Sequence, residues 1–458
     1  MSKTRSLFFP FCGPSKYLKA VPSLFVLAAL TIILFSSCNP DKRGNKGWIN
    51  AGKNDTSISY YRHIAPIIAE RCLTCHSDRG PGPINLSTYA NVSFNAEMIR
   101  YVINRHIMPP WLADEHGWDF ANKRVLSKPE LETINKWINN GLYKGDSIDN
   151  GFGAKSLVME KPAPDIVLHM DKHFFIKGDN RESFQKTTFS FETDSLFAVD
   201  AVEIVSKQMK VAHHAAYVIK GQSKFSRSAE EFLLGNDLFQ DTSVVMIGGW
   251  APGAGATRFP EGFGFYLPKK GEVDLEFHYG PSPVDLTDSI EVHIYRAKKP
   301  ITRTCTFISV ANGDSSNKLS PPLFEIQPNS FQKFTMQYAV KKDLTVLAVA
   351  PHMHYLGKNY RASVISPDGQ ESQIINLAHW NFSWQDQYLC KTFHHLEKGS
   401  IIKVEAEFDN TKDNLRNPNS PPKLVRSGWE SKSEMLVFIL LVTPYQSGDE
   451  AITWKSEF

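Results

Sequence analysis

The sequence predicts a multi-domain protein in which a small all-α domain precedes two all-β sandwich domains. Near the start, Ile64, Ile68 and Cys72 recur at helical spacing. Farther along, apolar and polar residues alternate strictly, as in 273–278 and 402–408, which is typical of half-buried strands. The β-type region extends from 164 to 458. A single sandwich needs about 100 residues, so we expect two.

Residues 1–37 have the layout of a secretion signal, because basic residues precede an apolar run that is short for a membrane span. The run ends in Phe35-Ser36-Ser37-Cys38, which resembles a bacterial lipobox. We therefore expect cleavage before Cys38, lipidation of its thiol and an extracytoplasmic protein anchored to a membrane, in the periplasm or at the cell surface of a bacterium. Leucine usually stands where Phe35 is, so an uncleaved membrane anchor is the alternative. The polar residues 38–57 predict a flexible tether.

Composition limits the partners of the chain. The 458 residues are 42% hydrophobic and 22% charged, which excludes a disordered chain. The 51 basic and 48 acidic side chains give a formal charge of +3, and no local basic patch stands out. We therefore expect no nucleic-acid partner.

Residues 58–146 contain a haem-attachment motif. Cys72-Leu73-Thr74-Cys75-His76 is C-x-x-C-H, in which two thiols add to the haem vinyl groups and the histidine ligates the iron. The second helix of this region is predicted to begin at Ser127 to Pro129 and to continue through Trp137. The segment resembles the cytochrome c family, which implies a covalent haem c.

The second axial ligand of that haem is predicted to be Met108, in the rigid segment His106-Ile107-Met108-Pro109-Pro110. Met98 and His106 are the alternatives, although Met98 lies in a helical stretch where we expect an ordinary core methionine. An iron with both axial positions filled passes electrons and has no open position for oxygen. We therefore expect an electron-transfer haem.

A Gly- and Pro-containing linker over 147–163 leads to the β-type region. We divide that region near Lys299 to Thr302, which gives β-domains over 164–300 and 301–458.

The first β-domain carries three candidate metal ligands. His213 and His214 are adjacent, so on a regular strand they would point to opposite faces, and binding one ion requires a bulge or a strand end. His278 is in phase with Asp274 and Glu276 on the polar side of an alternating strand. It is therefore predicted to face a cleft.

The second β-domain carries three more candidates. His352 and His354 form an H-x-H pattern, which places both imidazoles on one face of a strand, about 7 Å apart at their Cα atoms. Met435 begins the apolar run 435–442, which is typical of a buried strand. Its thioether sulfur favours Cu(I) over zinc.

In chain order, this pattern of His-His, His, His-x-His and Met resembles the copper type II, ascorbate-dependent monooxygenases, the family of peptidylglycine α-hydroxylating and dopamine β-monooxygenases. The resemblance covers about 164–445. It implies two jelly-roll-like domains that each hold one copper ion and face each other across a solvent-filled cleft. His213, His214 and His278 would form the electron-supplying site. The oxygen-activating, catalytic site would consist of His352, His354 and Met435.

The sequence departs from the peptide-hydroxylating branch of that family. Where that branch places an arginine and polar residues to hold a substrate carboxylate, this chain has Ala350, Val437 and Ile439. We therefore expect an apolar or differently anchored small-molecule substrate.

The predicted function is copper-dependent hydroxylation of a C–H bond with O2. Electrons would come through the fused haem to the histidine-only copper, in place of or alongside ascorbate. The alternative is a non-catalytic copper- and haem-binding lipoprotein that passes electrons to a redox partner protein.

Other residues are assigned no role in the chemistry. His394 and His395 precede a turn and are expected to be structural or exposed. Cys305 and Cys390 either form a disulfide or remain free. An aromatic cluster is expected in the core, with the substrate side of the cleft as the alternative: Trp380, Phe382, Trp384 and Tyr388.

Overall fold

A computed structural model of the chain describes residues 58–78, 80–146, 162–221, 244–251, 256–314, 317–428 and 430–454. The predicted leader, Cys38 and the tether lie outside these residues, as does most of the predicted linker. Within the described residues, the structure contains no helix long and apolar enough to cross a membrane.

In the described residues of 58–146, helices alternate with irregular segments. A π-helical turn (Tyr60–Ile64) leads into α1 (Ala65–Arg71), and α2 (Tyr89–Phe94), α3 (Ala96–Asn104) and α4 (Lys128–Asn139) follow. Helix α4 begins with a capping box, in which the Ser127 hydroxyl accepts from the Glu130 amide and the Glu130 carboxylate accepts from the Ser127 amide. Ile64, Ile68 and Trp137 are buried in the core that these helices share.

Among the described residues, twelve strands form the first part of the β region: β1 (Ile166–His169), β2 (Phe174–Ile176), β3 (Ser183–Glu192), β4 (Phe197–Ser206), β5 (Ala212–Gly221), β6 (Val244–Trp250), β7 (Thr257–Arg258), β8 (Phe263–Leu267), β9 (Lys270–Tyr279), β10 (Leu286–Asp288), β11 (Ile290–Arg296) and β12 (Arg303–Thr304). One sheet has the order β1-β11-β4-β8-β12, with β7 on β4, and a second has the order β3-β9-β5-β6. Strands β2 and β10 form a separate pair. The two larger sheets contribute to one apolar core.

The second part contains eleven strands in the residues that the structure describes: β13 (Thr306–Ala311), β14 (Lys318–Ser320), β15 (Glu325–Ile326), β16 (Phe331–Ala339), β17 (Leu344–His352), β18 (Gly357–Ile365), β19 (Glu371–Leu377), β20 (Tyr388–Leu396), β21 (Ile401–Asp409), β22 (Val425–Arg426) and β23 (Val437–Pro444). Their sheets are β13-β23-β17-β20, β14-β16-β21-β18-β19 and the pair β15-β22. A 3-10 turn (Asp449–Ala451) follows. The prediction of a mostly β chain with several sheets is thus confirmed.

The sheet β13-β23-β17-β20 packs on both of its faces. Val349, Phe438 and Leu440 belong to the core of the second β part. Leu389 and Leu441, from the same sheet, belong to the core of the first β part. Apolar packing therefore joins the two β parts directly, and this interface positions the site described below.

A segment that we call the crossing segment, residues 111–124, joins the helical region to the second β part. The amide of Trp118 donates to the carbonyl of Ile374 (2.9 Å), and the amide of Ala121 donates to the carbonyl of Leu389 (2.7 Å). The indole of Trp118 stacks on His394, with ring centroids 3.8 Å apart. These residues belong to the predicted cytochrome c domain over 58–146, and they extend the packing of β19 and β20.

Cys305 and Cys390 are free, buried thiols in this structure. They lie in different apolar cores. The structure therefore favours the free-thiol alternative, and burial raises the pKa of the Cys305 thiol to about 12.

A buried ion pair joins the 3-10 turn (Asp449–Ala451) to β12. The Arg303 guanidinium donates to both carboxylate oxygens of Asp449, at 2.6 and 2.7 Å. These bonds and that from Thr345 hold the pKa of Asp449 at about 2, against the effect of burial. Because this pKa lies below the ordinary value, the ionised pair stabilises the fold above about pH 4.

We expect Asp449→Asn to lower the free energy of unfolding by about 3–5 kcal/mol near neutral pH, because Arg303 would stay buried without its partner. Denaturant unfolding at several pH values measures this. In the parent chain the contribution should disappear as the pH falls from about 4 to 2. Glu261→Gln, which breaks the exposed pair with Lys299, should cost less than about 1 kcal/mol. Equal losses in both variants would contradict the prediction.

Candidate metal centre

A register shift on β5 brings the first two histidines together. Ala212 pairs with Tyr279 and His214 pairs with His278, so the regular pairing between β5 and β9 is interrupted at His213. This irregularity lets two adjacent histidines turn toward the same point. His214 and His278 are direct cross-strand neighbours on one face of the sheet.

The Nδ1 atoms of these three histidines, which we call the three-histidine group, converge. His213 Nδ1 lies 3.0 Å from His214 Nδ1, and His278 Nδ1 lies 3.4 Å from His214 Nδ1. One ligand atom from each residue lies within 4.8 Å of the others. Imidazole nitrogens this close need a shared proton or a shared cation between them. Three converging nitrogens are a donor set that suits copper or zinc.

Glu182 lies behind His278. Its carboxylate is 3.7 Å from His278 Nε2, and that nitrogen is buried with no hydrogen-bond partner within the described residues. Glu182 also accepts hydrogen bonds from the hydroxyls of Tyr355 (2.5 Å) and Ser431. A carboxylate at this distance favours the tautomer of His278 that carries its proton on Nε2, which leaves Nδ1 for a metal. Glu182 also connects the first β part to the second.

We expect Glu182→Ala to weaken copper binding at the three-histidine group by about 10–100-fold, because it removes the carboxylate that orients His278. Competition with a chromophoric chelator measures the affinity. Glu192, an exposed carboxylate at the far end of β3, provides the control Glu192→Ala, which should bind as the parent does. Unchanged affinity in Glu182→Ala would contradict this role.

The H-x-H residues lie at the end of β17. The rings of His352 and His354 are 5.1 Å apart, while Met353 between them is fully buried in the core of the second β part. His354 Nδ1 bonds to the carbonyl of Ser433 (3.0 Å), and His352 Nδ1 bonds to Gln385 Oε1. In both residues Nε2 is therefore the nitrogen available for a metal.

Met435 is 2% exposed and lines the same cavity as both H-x-H histidines. We call His352, His354 and Met435 the H-x-H group. The carboxylate of Glu434 accepts from the amides of His354 (2.8 Å), Leu356 (2.6 Å) and Met435 (3.1 Å). Burial raises the pKa of Glu434 to about 8, against the lowering effect of these amide bonds. Glu434 thus fixes the backbone that carries two of the candidate ligands.

The two groups lie side by side. The rings of His214 and His352 are 6.0 Å apart, although the resemblance implied sites facing each other across a solvent-filled cleft. Phe382, from the aromatic cluster, packs against both groups, with its ring 4.7 Å from His213 and 5.6 Å from His354. Trp380 and Tyr388 lie in the core of the second β part. The short separation follows from the direct packing of the two β parts.

A cavity of about 160 Å³ lies at this junction, and members of both groups line it. Its other walls are largely apolar and include Trp250, Phe307 and Ile439. Ala350 and Val437, which stand where the peptide-hydroxylating branch has polar residues, also line it. Neither arginine nor lysine is among the described lining residues. The charged residues among the described lining residues are the carboxylates Glu276 and Asp386, so the cavity does not suit a carboxylate-bearing molecule.

Burial favours the neutral, metal-binding form of four histidines, which are His213, His214, His352 and His354. Burial lowers the pKa of His213 and of His352 to about 4, and that of His354 to about 3. The pKa of His214 is also lowered, by burial and by the neighbouring histidines. His278 lies on the same face as Asp274 and Glu276 but is only 2% exposed, and it stacks on Phe184. His278 and Glu276 therefore face the cavity at the junction of the two β parts.

The C-x-x-C-H residues follow α1 directly. Cys72 and Cys75 are free and partly exposed, and burial raises the pKa of the Cys72 thiol to about 12. His76 Nδ1 lies 2.9 Å from the carbonyl of Ile84, so it donates there and leaves Nε2 for an iron. A Cβ on Gly82 would lie 2.7 Å from His76 Nδ1, so only glycine fits beside this ring. The motif residues fit a covalent haem.

The candidates for the second axial ligand differ in exposure. Met108 is partly exposed, and its amide bonds to the carbonyl of Val102 (3.3 Å). His106 is exposed. Met98 is 55% exposed, so the expectation that it is a core methionine was wrong. The face of α3 that carries it points away from the helical core.

The second histidine pair is structural. His394 stacks on Trp118 of the crossing segment, and His395 bonds to Asp343 (3.1 Å) and stacks on Tyr445. Neither belongs to the two groups. Sequence reasoning missed three residues that contact the two groups, Glu182, Gln385 and Glu434, which are single polar residues without a local pattern.

No family model and no curated protein matches the chain. A Paenibacillus xanthan lyase aligns with 61% of this chain at 10% identity and a TM-score of 0.17, and this chain spans only 25% of its length. The VP2 subviral particle of infectious bursal disease virus aligns with 62% of this chain and 72% of its own, at 9% identity and a TM-score of 0.17. The coconut allergen cocosin aligns with 62% and 84%, at 7% identity and a TM-score of 0.10. Scores this low carry no argument about function.

Proposed function

We propose that this protein is a copper-dependent monooxygenase that hydroxylates a C–H bond of a small apolar molecule with O2. In this proposal it comprises a helical cytochrome c domain and two β-sandwich copper domains. The observation that carries the proposal is the shared cavity, because members of a three-nitrogen group and of a two-nitrogen, one-thioether group line it together.

The chain's residues divide the work by their chemistry. His213, His214 and His278 would hold one copper ion through Nδ1. His352, His354 and Met435 would hold a second, with the thioether favouring the reduced ion. The two ions supply one-electron storage and oxygen activation when bound. Glu182, Gln385 and Glu434 orient ligands or the ligand-bearing backbone, and the apolar walls exclude water from the reacting C–H bond.

The haem-attachment segment supplies the source of electrons in this proposal. Cys72 and Cys75 would hold the porphyrin covalently, and His76 would ligate the iron with Met108 as the second axial ligand. Ascorbate remains an alternative or additional reductant. An exported, lipid-anchored location through Cys38 is part of the same proposal.

Isotope incorporation tests the proposed function. The copper- and haem-loaded protein is incubated with ¹⁸O2, a reductant and a panel of neutral apolar compounds small enough for the cavity. We expect one ¹⁸O atom in the hydroxylated product of at least one compound, and none with carboxylate-bearing analogues of the same size. The variant His352→Ala should give none. If the protein, loaded with both metals, did not react with oxygen in the presence of any compound of the panel, the electron-transfer alternative would be favoured.

A further inference from the structure

We propose that the crossing segment positions one wall of the cavity, with Arg124 and Asn122 as the positioning residues, and that it thereby sets how tightly the cavity binds a small apolar molecule. The wall is the stretch 381–387, which we call the cavity loop. The proposal rests on the proposed function in taking the cavity as the substrate site, but its tests need neither oxygen nor turnover.

The cavity loop lies between β19 and β20. Its residues, all of which the structure describes, belong to no helix or strand. Four of them line the cavity: Phe382, Gln385, Asp386 and Gln387. Gln385 also accepts a hydrogen bond from His352 through Oε1. Because the loop lacks the hydrogen-bond ladder of a sheet, its position depends on individual contacts with neighbouring segments.

The crossing segment binds the backbone where the cavity loop meets β20. The Asn122 side chain donates through Nδ2 to the carbonyl of Gln387 (2.7 Å) and accepts through Oδ1 from the amide of Leu389 (3.0 Å). Trp111 packs edge-on against Tyr388, with ring centroids 5.0 Å apart. Residues of the predicted cytochrome c domain therefore hold this end of the loop.

Arg124 balances a carboxylate of the cavity wall. Arg124 and Asp386 form an ion pair, with side chains 26% and 14% exposed. Asp386 lines the cavity, whereas Arg124 is not among the described lining residues, so it contacts the wall from outside the cavity. A carboxylate in a largely apolar wall is costly without its partner. Loss of Arg124 should therefore displace Asp386 and, with it, the adjacent Gln385.

The other end of the cavity loop is anchored within the second β part. Trp380, the residue before the loop, donates from its indole to the carbonyl of His354 (3.0 Å). Its amide donates to the carbonyl of Lys358 (2.9 Å). These bonds do not involve the crossing segment, so a change at Arg124 or Asn122 should move one end of the loop while the other stays in place.

A displaced cavity loop would change the site in two ways. The ring of Phe382, which lies 4.7 Å from His213 and 5.6 Å from His354, would lose its packing. Gln385 would lose its bond to His352. A wall that must be ordered when a molecule binds also costs affinity, which a wall already in place does not. The crossing segment should therefore strengthen binding in the cavity.

The coupling must act in both directions. If a docked crossing segment raises the affinity of the cavity for an apolar molecule, then that molecule must stabilise the docking of the segment by the same factor. A residue that merely supports the fold would not produce this effect. The reciprocal effect therefore distinguishes positioning from general stability.

Calorimetric titration with toluene, a neutral apolar probe, tests the effect on affinity. The full chain as purified is titrated without oxygen. We expect Arg124→Gln to weaken toluene binding about tenfold. Arg124→Lys keeps the positive charge and should recover part of the loss. Unchanged affinity in Arg124→Gln would overturn the proposal, and so would a parent chain that binds no toluene.

Two further variants of the crossing segment complete the comparison. Asn122→Ala removes both bonds to the end of the cavity loop and should weaken toluene binding as Arg124→Gln does. Asp119 pairs with Lys391, but these side chains are 58% and 59% exposed and neither is among the described lining residues. Asp119→Asn should therefore bind toluene as the parent does. If it weakened binding as much as Arg124→Gln, the positioning role would be refuted.

Hydrogen exchange in the parent chain tests the reciprocal effect without any substitution. The amides of Trp118 and Ala121 donate to carbonyls of the second β part, so their exchange reports the docking of the crossing segment. Saturating toluene should slow their exchange by up to about tenfold, the size of the expected coupling. Exchange that is the same with and without toluene would overturn the coupling.

These outcomes are distinct from those of the isotope experiment. Toluene binding that depends on Arg124, without any ¹⁸O incorporation, would uphold the positioning role and refute the monooxygenase. Product formation together with toluene binding that is unchanged in Arg124→Gln would do the reverse.

Discussion

Met435→Leu is expected to abolish the reaction of the reduced, copper-loaded protein with oxygen while leaving copper bound at His213, His214 and His278. The substitution conserves volume, so it removes the sulfur without opening a cavity. Met435 is 2% exposed and packs with Ala311 and Val437, so a leucine should keep this packing. Rapid mixing of the reduced protein with oxygen, followed by haem absorbance, measures the loss. Metal analysis should still find copper at the three-histidine group.

Met353→Leu is the matched control. Met353 lies between the two H-x-H histidines, but it is buried in the core of the second β part and is absent from the residues lining the cavity. The Met353→Leu variant should react with oxygen as the parent does. If haem were reoxidised slowly, and at the same rate in the parent and in Met435→Leu, the electron-transfer alternative would be favoured. The comparison therefore separates the effect of losing the candidate ligand sulfur from the effect of changing the packing.

The ligand candidates could be predicted from the sequence because they belong to short local sequence patterns. C-x-x-C-H and H-x-H are short motifs with fixed spacing, and alternation along β9 places His278 on one face with Asp274 and Glu276. The same periodicity predicted the β region. Each pattern depends only on the backbone geometry of a few neighbouring residues.

The distance between the two histidine groups could not be predicted in this way. It depends on how the sheet β13-β23-β17-β20 packs on the first β part, which buries Leu389 and Leu441 in the other part's core. The resemblance implied a solvent-filled cleft, whereas the packing brings His214 and His352 to 6.0 Å. Long-range packing of this kind leaves no signal in local spacing.

Two single carboxylates, the partly buried Glu182 and the fully buried Glu434, were missed for a related reason. Glu434 has one local partner, the amide of Met435, but the other partners of Glu182 and Glu434 are not neighbours in the sequence. Nothing in the sequence therefore separates these two residues from solvated surface residues. Their other partners lie far along the chain, as in the bond from Tyr355 to Glu182. The crossing segment was missed because its apolar residues suit the core of a helical domain equally well.

Glu434→Ala is expected to destabilise the fold and to remove copper from the H-x-H group. The Glu434 side chain is fully buried, and it accepts from the amides of His354, Leu356 and Met435. Each amide left without an acceptor in the interior costs about 1–3 kcal/mol. Denaturant unfolding should show the summed loss, and copper analysis should show that the three-histidine group remains filled.

Two controls separate the ligand geometry from general stability. Glu434→Gln keeps one carbonyl oxygen, so it should retain part of the stability and of the copper. Asp288 is also fully buried and accepts from Ser206 and Tyr279, so Asp288→Ala should lose comparable stability without emptying the H-x-H group. If Asp288→Ala lost as much copper from the H-x-H group as Glu434→Ala at a similar loss of stability, a specific role for Glu434 would be refuted. Because its carboxylate binds the backbone on both sides of the site, we expect the copper loss only in Glu434→Ala.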